Sequence, residues 1–438
     1  MRKYVLLTLS QVSNYLPPYL SQQGIVLQLS PFRQNVRTIF FNTGPLATLD
    51  DEDSILMEKA IIVNSNLIMD IRDSSEVLEE YESSDSIFID VSGKAVIPGL
   101  IDAHNHLLWA GDRFSEHKLR MDGMSYSDIA ASGGGIMKTV NQTRNASNGD
   151  LFEIGRDRLQ EALRNGCTFV EGKSGYGLST TEELRLLQVQ NELNQVNNLP
   201  SIHSTWMGAH AVIPGISYQD YTEELISDQL PRVLDSGLAQ SADVFCEPGW
   251  FTIEQSEEIL RASRKGGLDL RMHIDEFSDG GGGRLAAELK VTTADHAHHT
   301  PMDVRIDMNE KGVMTGFLPG TPYSNGDEWP NFNMVSEQSI EYTAATDFNP
   351  NCHINNLPFI GSLLVQRNNV DPYKALASMT RNSGKTTPRD DGLIHGKIEI
   401  GAVANFNILK SQHWESWCMT PGSSPIDAVC LEGHLIEV

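Results

Sequence analysis

Between Arg37 and Val96, short apolar runs (Thr38–Phe41, Ile61–Val63, Ile87–Ile89) alternate with turns and acidic clusters such as Asp50–Asp53. That texture predicts a small, mostly β module. Beyond Pro98–Gly99 the pattern changes, and strand-like apolar runs alternate with helical segments every roughly 30–40 residues, as in repeated βα units around a parallel sheet. Candidate strands end at His106, Lys173, His210, Glu247, His273, His296, Pro319 and Asp347. Eight of them predict an α/β fold of the (β/α)8 TIM-barrel type, with reactive side chains at the carboxyl ends of the strands. Thr180 with Glu183, and Thr252 with Gln255, read as capping boxes that open two of the helices, and Gly266 closes the second. From about Lys397 short strands return (Phe406–Leu409, Ala428–Leu431). The expected organisation is an unassigned extension over 1–36, a composite β-sandwich module built from 37–96 plus 397–438, and a barrel over 97–396.

Composition narrows the function classes. With 40% hydrophobic residues the 438-residue chain can build a sizeable core, which excludes a wholly disordered protein. Its 33 basic and 58 acidic residues give a formal charge of −25. Such a chain repels phosphate backbones and anionic bilayers, so neither nucleic acid nor membrane is expected as a partner. The five cysteines include no CxxC pair, which argues against a disulfide framework and against a cysteine zinc site. The short apolar stretch after Met1 lacks a cleavage signal, and nothing approaches the ~18 apolar residues of a membrane span. A cytoplasmic location is the expectation.

The sharpest local signal is Asp102-Ala-His-Asn-His106 at the end of the apolar run Val96–Ile101. On a strand, residues two apart project to one face, so His104 and His106 can reach a single ion. His273 ends the run Leu268–Met272, His296 follows Val291–Ala294, and Asp347 follows Ala344–Thr346. In a barrel these converge on the same rim. Three neutral imidazoles and a carboxylate leave a coordination position for water, the arrangement of a hydrolytic rather than a structural site. Glu276, three residues beyond His273, is placed to carry a proton between attacking water and a leaving nitrogen.

The chain resembles the imidazolonepropionases of the amidohydrolase superfamily. The resemblance runs from about Arg37 to the C-terminus through Val96-Ile-Pro-Gly-Leu-Ile-Asp-Ala-His-Asn-His106, Trp109-Ala-Gly-Asp-Arg113, Gly133-Gly-Gly-Ile136, Lys173-Ser-Gly-Tyr-Gly-Leu178, Gly208-Ala-His210, Asp243-Val-Phe-Cys-Glu247, His273-Ile-Asp-Glu-Phe277, Ala294-Asp-His296 and Asp347-Phe-Asn-Pro350. The His-x-His element is shared across the superfamily; the Lys-Ser-Gly-Tyr-Gly-Leu and Asp-Phe-Asn-Pro elements are narrow. The resemblance implies His104, His106, His273 and Asp347 as ligands of zinc or iron. It implies Arg113, Tyr176 and His210 as substrate contacts, Glu276 and His296 as an acid/base pair, and Asn349 as a contact after the ligand aspartate. The implied reaction opens the ring of 4-imidazolone-5-propanoate with water to give N-formimidoyl-L-glutamate, a step of histidine degradation. In the expected mechanism Asp347 and His296 orient and deprotonate water, His210 and the metal polarise the ring carbonyl, and Glu276, itself against the substrate, protonates the departing nitrogen. An anionic, cyclic-amide substrate needs a local cation in so acidic a protein, and Arg113 supplies a guanidinium fork. Two-metal relatives bridge their ions through a lysine on the fourth strand; Asp243-Val-Phe-Cys-Glu247 has none, so one ion per active site is expected.

The chain also departs from the family. Asn351 and Cys352, at positions assigned to the substrate's tail, stand where many members carry Gly and a hydroxyl residue, and Gly320-Thr-Pro-Tyr323 with Asn325-Gly-Asp-Glu-Trp329 fits the family pattern poorly. Ser383-Gly-Lys-Thr386 resembles the tail of a phosphate loop, but Met379 stands where that motif needs Gly. A related amidohydrolase or deaminase acting on another cyclic amidine or amide, and a non-catalytic scaffold, are the competing readings. Zinc against iron and the oligomeric state, a homodimer included, stay open.

Overall fold

A computed structural model of the chain describes residues 6–8, 37–81, 86–124, 128–129, 132–326 and 328–438. Apart from Leu6–Thr8, the extension 1–36 lies outside these residues, as does position 327 of the loop that follows the seventh predicted strand. Eight strands form one sheet with neighbours in chain order: β1 (Leu100–Asn105), β2 (Cys167–Lys173), β3 (Ser201–Ala209), β4 (Ser241–Cys246), β5 (Asp269–Ile274), β6 (Thr293–His296), β7 (Met314–Phe317) and β8 (Tyr342–Ala344). From β3 to β8 every pairing is parallel. At the carboxyl rim the residues just past β8 return to β1: Asp347 N–H donates to the His104 carbonyl, His106 N–H donates to the Phe348 carbonyl, and Asn105 bridges Phe348 in parallel. The expected barrel is therefore present, its rim closed by backbone hydrogen bonds beside the predicted ligands.

Two-residue alternation decides which side chains enter the barrel. Ala242, Val244 and Cys246 of β4, Leu270, Met272 and Ile274 of β5, and Ala294 of β6 share one hydrophobic cluster with Ile259 and Leu260 of the helix Ile253–Lys265. The intervening residues (Asp243 and Phe245, Arg271 and His273, Thr293 and Asp295) face inward. Covered on both sides, β4 is buried along its whole length, as parallel strands generally are. The capping box Thr252–Gln255 forms, with both reciprocal hydrogen bonds. The expected box at Thr180–Glu183 does not. Ser179 occupies the cap of the helix Thr180–Asn194, the Thr180 hydroxyl donates to Asp228 at 2.6 Å, and the Glu183 carboxylate is drawn elsewhere. The run Val96–Ile101 likewise divides at Gly99, Val96–Pro98 joining another sheet and Leu100 onward entering the barrel.

The chain divides into two compact units, Asp102–Gln160 with Val170–Asn355, and Glu161–Phe169 and Asn356–Val438 with Met1–Ile101. The second contains two further sheets. One orders Leu6–Thr8, Ser86–Asp90, Arg37–Phe41, Lys59–Asn64 and Leu67–Asp73; the other orders His434–Glu437, Ile426–Leu431, Phe406–Leu409, Val96–Pro98, Leu46–Ala47 and Ile55–Leu56. Phe40, Ile61 and Val63 of the first pack with Phe406, Ile408 and Ala428 of the second, and the rings of Phe40 and Phe406 meet edge-on at 4.9 Å. A β-sandwich built from both ends of the chain is thus observed. Among the described residues no helix is long and apolar enough to cross a membrane.

Candidate metal centre

His104 lies near the end of β1 and His106 just past it, His273 lies near the end of β5, His296 ends β6, and Asp347 sits in the turn after β8, all within the first unit and all buried. One ligand atom each of His104, His106 and His273 falls within 4.8 Å of the others, and the same holds for His104, His296 and Asp347. The Nε2 atoms of His106 and His273 are 3.4 Å apart, and Asp347 Oδ1 lies 3.5 Å from His104 Nε2 and 3.6 Å from His106 Nε2. His104 Nε2 is buried with no hydrogen-bond partner. A buried lone pair facing two imidazoles and a carboxylate fits a cation, since an orphaned acceptor is otherwise costly. The four predicted ligands therefore come together, with His296 beside them.

The opposite ring nitrogens explain why Nε2 faces the centre. His104 Nδ1 donates to Asp295 at 2.8 Å and His273 Nδ1 donates to Asp243 at 3.1 Å, which fixes the tautomer of both rings and leaves Nε2 as the ligand atom. Lys173 joins the two carboxylates from beneath: its ammonium is 2.6 Å from Asp243, 2.9 Å from Glu171 and 3.9 Å from Asp295, with no solvent exposure. Burial alone would lower the lysine pKa, but Asp243, Glu171 and Asp295 hold it raised. Asp243 is depressed despite its burial by His273 and Lys173, while burial lifts Asp295 to about 6. Burial, reinforced by neighbouring cations, pushes His104, His106 and His296 well below the usual histidine range. These rings are neutral, the form that binds metal. Space for Asp295 comes from Gly316 on β7, where an added Cβ would lie 2.0 Å from Asp295 Oδ1.

Asp347 is held by its own turn. Asp102, two residues before His104 on the same strand face, accepts from the backbone N–H of Thr346 at 3.0 Å and from its hydroxyl at 2.6 Å. Asp347 itself adopts a left-handed φ of 50°, as does His296 at 60°. Non-glycine residues hold such angles only where their surroundings enforce them, commonly at functional sites.

The remaining predicted residues separate into groups. Glu276 Oε2 lies 3.6 Å from His296 Nε2, and both line a pocket together with His298, Phe317, Thr321 and Phe332. The Glu276 backbone N–H is capped by Glu247. His210 stacks on His106 at 5.2 Å and donates from Nδ1 to the Gly175 carbonyl, and Tyr176 packs 5.2 Å from His210 and 5.8 Å from His106. The missing capping carboxylate is found here. Glu183 accepts the backbone N–H groups of Gly175, Gly177 and Leu178 at 2.7–2.8 Å and so shapes the loop that carries Tyr176. Arg113 is buried against Glu116, whose Oε2 receives its Nε and Nη2 at 2.8 Å while Oε1 accepts from Gly135 N–H. Asn349 spends its side chain on its own loop, accepting from Asn351 N–H and Cys352 N–H and donating to the Asp347 carbonyl. Cys352 is buried, its thiol against the Thr346 carbonyl. Asp102, Lys173, Glu183, Asp243 and Asp295 were not read as site residues from the sequence; inward register two residues before the candidate ligand His104 was a usable signal for Asp102 but not for the others.

No family model matches the chain. It is 34% identical over 379 residues to an imidazolonepropionase from Haloarcula marismortui, covering 86% of this chain and 90% of that protein. To an imidazolonepropionase from Shewanella sediminis it is 39% identical over 324 residues, covering 72% and 77%. Among solved structures, atrazine chlorohydrolase TrzN from Arthrobacter aurescens, complexed with zinc, superposes with a TM-score of 0.67 at 15% identity, over 91% of this chain and 95% of that one. Identity that low establishes a shared fold.

Proposed function

The chain belongs to the imidazolonepropionase family, and from that premise we propose that it hydrolyses 4-imidazolone-5-propanoate to N-formimidoyl-L-glutamate, a step of histidine degradation, using one zinc or iron ion per active site. The observation that carries the metal-dependent reading is the buried, partnerless His104 Nε2 facing His106, His273 and Asp347. His104, His106, His273 and Asp347 would hold the ion. When bound, it supplies Lewis-acid polarisation and makes water acidic near neutral pH. A single ion is favoured because the inward position of β4 that faces the centre is Asp243, already bonded to His273 and Lys173, and no lysine lies on that strand.

The chain's own groups account for the rest. His296 and Asp347 orient the attacking water and take its proton. His210, its Nδ1 pinned by the Gly175 carbonyl, turns its other nitrogen to the substrate's ring carbonyl. As the carbonyl carbon–nitrogen bond breaks, Glu276, within 3.6 Å of His296 and so placed to receive the water's proton from it, delivers that proton to the ring nitrogen, and nitrogen departs as a neutral amidine. Arg113, with one edge of its guanidinium held by Glu116, and the Tyr176 hydroxyl are assigned to the propanoate carboxylate. Asn349, Asn351 and Cys352 set the backbone of the loop that borders this tail. The test is a turnover assay on imidazolonepropanoate with the bound metal quantified, run beside cytosine and guanine. Consumption of imidazolonepropanoate alone supports the reading. Metal-replete protein that leaves it intact, or that deaminates a nucleobase instead, overturns it.

A further inference from the structure

The helix Gly320–Asn325 and Cys352 touch each other beside Asp347. The Thr321 hydroxyl donates to Asp347 Oδ2 at 2.5 Å. That leaves Oδ1 as the oxygen directed at His104 and His106. Thr321 also lines the pocket that Glu276 and His296 share.

The short helix Gly320–Asn325 that carries Thr321 is locked against the turn that carries Asp347. A Cβ added at Gly320 would lie 2.9 Å from both Cys352 Sγ and the Thr346 carbonyl oxygen, so glycine is needed for the approach. The Ser324 hydroxyl donates to Cys352 Sγ at 3.7 Å, and the Cys352 thiol in turn donates to the Thr346 carbonyl at 3.6 Å. Gly320, Ser324 and Cys352 thus form a clamp across the loops after β7 and β8, with Thr321 at its inner end. A hydroxyl fixed this way holds a carboxylate in one rotamer, and partners of ligating carboxylates commonly govern metal affinity.

We propose that Thr321 is a positioning residue for the ligand aspartate, held in place by the Gly320/Ser324–Cys352 clamp. This rests on Asp347 being a metal ligand, as the functional reading has it, but not on the identity of the substrate.

Zinc affinity of the metal-stripped protein, measured by competition with a chromogenic chelator, tests this without any turnover assay. Thr321→Val keeps the side-chain shape and removes the donor; we expect zinc binding weakened about tenfold, restored to within about threefold by Thr321→Ser. In an Asp347→Ala background Thr321→Val should change affinity less than about twofold, because its target is gone. Should Thr321→Val not fold, Ser324→Ala loosens the clamp from its far end and is expected to weaken zinc binding in the same direction. Wild-type zinc affinity in a folded Thr321→Val protein, an equal loss with and without Asp347, or a raised KM with unchanged zinc affinity would each overturn the assignment.

Discussion

Asp243 receives hydrogen bonds from two buried donors, His273 Nδ1 at 3.1 Å and Lys173 Nζ at 2.6 Å, one on each oxygen. An amide in its place would accept only one of them and would turn its own N–H groups toward the other. Asp243→Asn is therefore expected to release the His273 tautomer and weaken metal binding about 10- to 100-fold, read by chelator competition on folded protein. Unchanged affinity would show that the His273 ring is held by packing alone. Lys173 belongs to the same unit. Removing its charge would leave Glu171, Asp243 and Asp295 crowded without compensation, so loss of stability is expected to accompany any loss of metal there. The candidate ligands themselves were legible as residues, since each histidine ends an apolar run and His-x-His is a strand-face pattern. Their supporting carboxylates were not. Asp295 and His104 are 191 residues apart, and Asp243 and His273 are 30 apart, so nothing local pairs them.

At the scale of elements, strand alternation explains both what could be read and what was misread. Hydrophobic runs revealed the order of the barrel strands because their outward residues pack on helices, while polar inward residues such as Asp243 interrupt the runs only singly. Glu183 was assigned by a local helix-start rule, and the rule lost because the carboxylate instead accepts three backbone N–H groups of the 175–178 loop. Thr252, with no such competing demand, forms its expected box. β7 offers a direct check on how tightly the elements are set. Gly316→Ala would force a methyl group against Asp295 Oδ1, so β7 must shift or Asp295 must leave His104. We expect about 1–3 kcal/mol of destabilisation in urea unfolding, with weaker metal binding in the same variant. A stable Gly316→Ala protein with normal metal affinity would show that the Asp295–His104 bond is not needed to orient the ring.

Across the whole molecule, a formal charge of −25 is unfavourable for an anionic substrate. Under the proposed function, the local positive charge that such a substrate needs would come from the bound ion and from the Arg113 guanidinium. The barrel brings together residues from 104 to 347 because its rim closes from β8 back to β1. This long-range closure is what turns scattered histidines into one site, and it was foreseeable only through the count of eight strands. The most direct measurement is a metal titration of stripped protein, following imidazolonepropanoate turnover against bound zinc or iron. Turnover is expected to rise linearly with occupancy and to saturate at one ion per chain. Full activity without metal, or a linear rise that continues to two ions, would contradict the account.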